Sequence, residues 1–230
     1  SNPNVIQSPS VIQALIGSGV TIDPSIYASS SGSVGVVMFV NGLDTTTDGL
    51  DYVATYTSDF GDYGRVDWSL SANYNVTKID RVASPPSNVN PRQLLLDTIA
   101  QVTLTKTTPK YRGTLGANWT YGKFNVNLRE TLVGPSYNLV QDPLSANLLR
   151  NRVAKAGLTD LEVTYSPIEQ VKLSVGANNL FNEYPNKSNG TYRNGQYMTN
   201  ASGYASSVYP SFSPFGINGG YYYGRVVYSF

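Results

Sequence analysis

Between Arg65 and Val76 the chain reads RVDWSLSANYNV, in which Val66, Trp68, Leu70, Ala72, Tyr74 and Val76 alternate with Asp67, Ser69, Ser71, Asn73 and Asn75. A period of two sends successive side chains to opposite faces of a pleated strand, so this segment is a strand with one apolar face. The same period returns where Tyr111, Leu115, Ala117, Trp119 and Tyr121 alternate with Arg112, Thr114, Asn118 and Thr120. Phe124, Val126, Leu128 and Leu132 interleave with Asn125, Asn127, Arg129 and Thr131, and Leu161, Val163 and Tyr165 with Glu162 and Thr164. Val171, Leu173, Val175 and Ala177 do so with Lys172, Ser174 and Asn178, and the closing YYYGRVVYSF sets Tyr222, Val226, Tyr228 and Phe230 against Arg225 and Ser229. With an earlier run through Leu50, Tyr52, Ala54 and Tyr56, the pattern predicts seven strands, over about 36–57, 65–80, 109–120, 124–133, 158–166, 171–183 and 221–230.

The connections alternate in length. SDFGDYG, YGK and PIEQ carry the Gly, Asp and Pro chemistry of tight turns, whereas roughly 81–108, 134–157 and 184–220 are long. VIQALIG at 11–17 and PRQLLLDTIAQ at 91–101 are short helices or apolar loop segments, with Pro91 suited to a first turn. A meander with short turns at one end and long loops at the other is the pattern of a transmembrane β-barrel, with periplasmic turns and extracellular loops. Val171 to Phe181 is about ten steps, which at roughly 3.3 Å each and a tilt near 40° gives about 25 Å, the height of an apolar membrane band. Glu130 falls on the apolar face, so it belongs near the loop-side rim or marks a slip of register.

Composition supports a strand-built protein and removes several chemistries. Charged residues are 13% and aromatics 12%, with 18 Tyr, and Asn, Ser, Thr and Gly make up much of the polar remainder. A formal net charge of +1 gives no overall electrostatic case for nucleic acid or an anionic membrane surface. With neither Cys nor His, disulfides, thiolate or Ser-His-Asp nucleophiles and the commonest transition-metal ligands are excluded, so no enzyme and no cofactor is expected. Asp44, Asp48 and Asp51 lack the Gly-centred ligand loop of a calcium site, and GANWTYGKF lacks the Ser or Thr that should follow Lys123 in a phosphate loop. Five Asn-x-Ser/Thr triplets, at Asn75, Asn118, Asn186, Asn189 and Asn200, follow from an Asn/Thr-rich composition.

A soluble β-sandwich, for example a carbohydrate-binding or adhesin-like module, would alternate too, because it buries one face and wets the other. Polar faces of Asn, Ser, Thr and Gly, with few charges, suit a lumen better. Aromatics near strand ends (Tyr56, Phe60, Tyr63, Trp119, Tyr121, Phe124, Tyr165, Phe181, Tyr184) suit membrane girdles. Counting strand directions back from Phe230 places residues 1–35 outside the cell as a loop segment and 36–230 in the barrel, unless 1–35 hold an eighth strand. Such barrels have even strand numbers and both termini on the periplasmic side, so the expectation is part of a larger barrel.

Several stretches carry a family resemblance. VGANNLFNEYP at 175–185, followed by a Tyr/Gly-rich loop and YYYGRVVYSF, resembles the C-terminal end of TonB-dependent outer-membrane receptors, whose penultimate strand carries an Asn-Leu-Phe-Asp-like element before Tyr-Pro. DTTTDGLDYVATY at 44–56 is similar to that family's Thr-x-Gly-acidic strand, and GLTDLEVTYSPIEQVKLSVGANNLF to its usual hairpin. The resemblance covers about 36–230. It implies a barrel of roughly 22 strands with a plugged lumen, a bacterial outer-membrane location, and uptake of a scarce nutrient such as an iron chelate, cobalamin or an oligosaccharide. The implied partners are outer-membrane lipid, the plug and upstream strands, the TonB complex acting through the plug, and a small-molecule ligand. Neither a plug nor a TonB box is present in these 230 residues. The last strand resembles the signal read by the barrel-assembly machinery, carried by Tyr222, Val226, Tyr228 and Phe230; Phe230 also suits a girdle.

Two groups of candidate site residues follow. Tyr192, Tyr197, Tyr204, Tyr209 and Phe212, among Gly, Ser and Asn, offer rigid aromatic surface for a ligand, or else pack the loop onto its neighbours. Asp67, Arg112, Arg129, Glu162, Lys172 and Arg225 project by parity to the polar, lumen-facing side, to pair with a plug or with one another.

Overall fold

The computed structural model describes residues 17, 19, 21, 42–83, 96–142, 145, 147–189, 191–193, 196–198 and 208–230, with backbone alone at 191–193 and 196–198. The chain divides into two compact units, Ser1–Thr46 with Thr77–Gln101, and Thr47–Val76 with Val102–Phe230. The meander is built from β1 (Leu43–Asp59), β2 (Arg65–Val82), β3 (Tyr111–Tyr121), β4 (Phe124–Val133), β7 (Ala156–Ile168), β8 (Val171–Asn178) and β11 (Tyr221–Tyr228). They form one seven-stranded sheet in that order, and the registers from β2 to β11 are all antiparallel. Two hairpins absent from the sequence expectation, β5 (Ser136–Gln141) with β6 (Leu148–Val153) and β9 (Thr191–Arg193) with β10 (Gln196–Met198), stand in the long connections.

All seven expected strands are present, with shifted ends. Of the first, 36–41 lie outside the described residues. The expected strand over 171–183 stops at Asn178, because Asn179 and Asn182 adopt positive φ (53° and 59°), which Asn tolerates better than other side-chain-bearing residues. Asn179 locks that turn by accepting from the Glu183 amide and donating to its carbonyl, each at 2.8 Å, while Asn182 accepts from the Gly220 amide at 2.8 Å. The last strand ends at Tyr228, and Phe230 lies beyond it with its ring edge-on to Tyr228 at 5.1 Å. The helix expected over 91–101 is α1, Thr98–Lys106. Its start is set by Asp97, whose carboxylate accepts from the Ala100 amide at 2.7 Å as an N-cap. The 11–17 expectation lies outside the described residues except at Gly17, which is helical.

At one end lie the tight turns. Gly122 takes φ 54° at the first position of the two-residue β3–β4 turn, a conformation that primed hairpin turns require. Gly64 (φ 88°) passes so near β3 that a Cβ there would come within 2.3 Å of the Thr120 carbonyl. At the other end the β5–β6 hairpin is held by Asn189, whose amide N–H donates to Asn151 Oδ1 and whose side chain donates to the Arg150 carbonyl. The largest fully buried side chains among the described residues, Val133 and Val153, lie at this loop end.

The sheet has two unlike faces and no second layer over either among the described residues. Direct partners share a face, so the registers extend the alternation across strands: Val66–Trp119–Val126–Val163–Val175–Gly224 is one apolar row and Trp68–Ala117–Leu128–Leu161–Ala177–Tyr222 another. A sandwich would seal these side chains in a dry centre. Instead Trp68 is 37% exposed, Leu115 49% and Val226 73%. Aromatic residues bracket this face. Tyr74 pairs with Tyr111 towards the loop end, while Trp119 stacks on Tyr121 (5.7 Å) and Phe124 meets Tyr165 (4.9 Å) at the turn end. From Tyr111 to Tyr121 is ten steps of β3, about 33 Å along the strand, which is about 25 Å in projection at the tilt near 40° of a membrane barrel. Glu130 does not mark a slip of register: it faces Leu115 and Thr159 in regular pairing and accepts a hydrogen bond from the Thr159 hydroxyl.

Candidate functional site

The polar face gathers its chemistry from the same registers. One row runs Asp67–Asn118–Asn127–Glu162–Gly176–Tyr223, and its neighbour Arg65–Thr120–Asn125–Thr164–Ser174–Arg225. Gly176 stands between Glu162 on β7 and Tyr223 on β11. Because it has no side chain, the Tyr223 ring lies across β8 directly above it, where a Cβ would come within 2.5 Å of the ring. The phenol thereby reaches past one whole strand and donates to Glu162 Oε2 at 2.9 Å. Arg225 Nη2 donates to both Glu162 oxygens at 2.8 Å. One carboxylate thus ties β7 to β11 across β8 and neutralises a cation on the face. Asn125, Asn127, Arg129 and Asp160 line the same open cleft of about 320 Å³.

The rest of the face is a web of short polar side chains. Asn125 donates to Asn118 and Thr120 at 3.0 Å, Thr57 to Asp67 at 2.8 Å, and Thr164 and Ser174 share a hydrogen bond at 2.8 Å. Such groups satisfy one another across strands without the mobility of Lys or Glu.

All six charged candidates, Asp67, Arg112, Arg129, Glu162, Lys172 and Arg225, sit on this face by register. Their pairing is uneven. Asp67 bonds Arg65 at 3.0 Å and Glu162 bonds Arg225, whereas Arg112, Arg129 and Lys172 make no ion pair among the described residues. Arg129 faces Asp160 in the ladder, but the Asp160 carboxylate accepts from the Asn179 amide instead. Tyr223 and Gly176 are site residues that parity reasoning missed. Their significance depends on which strands become neighbours, since the 42 residues between β8 and β11 give no hint that 176 meets 223.

The loop aromatics fare differently. Tyr209 stacks on Tyr184 at 5.7 Å, and Phe212 is half-buried. Tyr192 and Tyr197 are direct backbone partners in the β9–β10 ribbon, with their side chains outside the described residues, as is all of Tyr204. Of the last-strand residues, Tyr222, Val226 and Tyr228 share the exposed apolar face, and Tyr222 donates to the Leu180 carbonyl at 3.0 Å. Beyond the upper aromatic pair β2 runs on to Arg81, which donates to Asp44 at 2.7 Å; that guanidinium holds the Asp44 carboxyl below its ordinary value, and its own pKa is raised in return.

No curated protein sequence matches the chain. Among solved structures it is similar to a chain of the FpvAI–pyocin S2 complex, at 15% identity and a TM-score of 0.50, over 80% of this chain and 19% of that one. It also matches the ferric enterobactin receptor (PfeA) G324V mutant from Pseudomonas aeruginosa, at 16% identity and a TM-score of 0.44, over 77% of this chain and 22% of that one. This chain therefore spans about a fifth of the length of those structures. The first likeness shows a shared fold, an unclosed stretch of barrel wall. The family model described as TonB dependent receptor-like, beta-barrel matches residues 4–180 of the 230, and by that match the chain belongs to the TonB-dependent receptor β-barrel family.

Proposed function

We propose that this chain is part of the barrel wall of a TonB-dependent transporter that takes up a scarce nutrient across the bacterial outer membrane. The observation that carries the reading is the single-layer sheet: one face is apolar, open and bracketed by aromatics ten residues apart along β3, about 25 Å of membrane thickness at a barrel's tilt, and the other is hydrogen-bonded within itself. Hydrocarbon covers the first face and a wet lumen the second. The edges of β1 and β11, unpaired among the described residues, support further strands on both sides, since hydrocarbon leaves unpaired backbone N–H and C=O groups unsatisfied. The whole barrel then has roughly 22 strands, with the tight turns periplasmic, the hairpin-bearing loops and residues 1–35 extracellular, and a plug supplied by the rest of the protein.

In this reading Asp67, Arg112, Arg129, Glu162, Lys172 and Arg225 line the lumen. Arg112, Arg129 and Lys172, which make no ion pair among the described residues, are the groups available to a plug. The loop carrying Tyr192, Tyr197, Tyr204, Tyr209 and Phe212 contributes to the ligand vestibule, and Tyr222, Val226, Tyr228 and Phe230 form the signal for barrel assembly. The substrate is an iron chelate, cobalamin or an oligosaccharide, driven inward by the TonB complex. The test is growth of a strain whose only copy is the full-length receptor, supplied with each nutrient class at limiting concentration. Growth on one class that disappears on loss of TonB supports the reading; growth on all classes without TonB contradicts it.

A further inference from the structure

A cleft of about 600 Å³ opens at the loop end between α1, the β2–β3 strand tops and the β5–β6 hairpin. Four cations line it, Lys106, Lys110, Arg150 and Arg152, and no carboxylate does. None of the four makes an ion pair among the described residues. Four like charges around one hollow repel one another, and an anion placed among them relieves that cost. The chain's net charge of +1 conceals this concentration.

A second observation points the same way. Ser136 lines the cleft at 3% exposure, and its Oγ is buried with no hydrogen-bond partner. A buried hydroxyl left unpaired is costly, and a phosphoryl oxygen in the cleft would satisfy it. Arg150 stacks on the Tyr137 ring at 3.7 Å, which orders the guanidinium while leaving its N–H edge for a bidentate acceptor.

The place of the cleft selects the source of the anion. Tyr74 and Tyr111, which form one wall, are direct partners on the apolar face and belong to its loop-side aromatic belt. A ligand bound for the lumen would be met on the opposite, polar face. We propose that this cleft is a binding site for the phosphate of an outer-leaflet lipid headgroup, held by Arg150, Arg152, Lys106 and Lys110 with Ser136 donating to a phosphoryl oxygen. This rests on the reading that the apolar face meets lipid.

The test uses the full-length receptor in detergent micelles, with short-chain phosphatidic acid and phosphatidylcholine offered at equal concentration and retention read by native mass spectrometry. Phosphatidic acid is expected to be retained at least tenfold over phosphatidylcholine. The preference should vanish in the R150E/R152E double variant, fall several-fold in Ser136→Ala and persist in Lys123→Glu, at the opposite end of the sheet. Heat-modifiable gel mobility identifies the variants that still fold. Equal retention of the two lipids, or a preference that survives R150E/R152E in a folded barrel, overturns the site. If inorganic phosphate at the same concentration displaces phosphatidic acid, the source is a soluble phosphate and the lipid assignment falls. If neither lipid is retained while inorganic phosphate still binds and is lost in R150E/R152E, the failure belongs to the lipid-facing reading and not to the cation cluster.

Discussion

The two faces of the sheet are made by the same strands, yet they solve opposite problems. On the polar face the solution is internal: Asn118, Asn125, Thr164, Ser174 and the Glu162–Arg225–Tyr223 cluster bond one another. On the apolar face Leu70, Leu128, Val175 and Val226 stay exposed, and nothing in the described chain covers them. A contiguous apolar surface across six strands far exceeds what a monomeric protein leaves in water. The difference teaches that alternation alone is ambiguous, whereas alternation without a second layer is not.

The largest expected effect comes from placing a charge on the wrong face. Leu128→Arg, near the middle of the apolar band, should destabilise the full-length receptor in liposomes by about 2–4 kcal/mol, measured by urea unfolding. Asn127→Arg, one residue away and on the other face, should cost no more than about 0.5 kcal/mol. Equal costs would erase the distinction between the faces. Next, Gly176→Val pushes the Tyr223 ring off β8 and breaks its bond to Glu162, for a loss of about 1–3 kcal/mol. Tyr223→Phe in that background should add almost nothing, and an additive loss would show that the ring is not held over Gly176. Smaller still, Asn179→Ala should cost about 1 kcal/mol more than Asn179→Gly, because both lose the two bonds to Glu183 and only alanine strains the left-handed backbone.

How far the sequence alone was informative differs between these features. Period-two alternation sufficed for the seven strands because each residue's face depends only on its neighbours in the chain. Strand ends were less legible: Asn179 breaks β8 through a backbone conformation that an apolar Leu180-Phe181 continuation disguises. The β5–β6 hairpin escaped because its strands, SYNLVQ and LLRNRV, mix polar and apolar residues without clean alternation. The Gly176–Tyr223 contact and the cation cleft escaped for a different reason. Both assemble residues from distant elements, and only the register between strands brings them together.

The smallest effect concerns Asp44 and Arg81, both exposed at the loop-side ends of their strands. Asp44 is held below its ordinary value of 3.8, so its pairing contributes above about that pH and is lost as the pH falls through the lowered pKa. Exposure limits the gain. Asp44→Asn should leave the urea midpoint at pH 7 nearly unchanged and abolish the small difference between pH 7 and pH 3 assigned to this pair.

The central claim, that hydrocarbon covers the even side of β4 and its register partners, is tested most directly by which solvent reaches adjacent residues. Cysteine introduced in turn at positions 125 to 129 of the full-length receptor, labelled with a fluorophore and reconstituted in liposomes, can be quenched by nitroxide on lipid tails or by aqueous iodide. The expected result alternates: lipid nitroxide quenches at 126 and 128, and iodide at 125, 127 and 129. Iodide quenching at every position, or lipid quenching at the odd ones, would contradict the account.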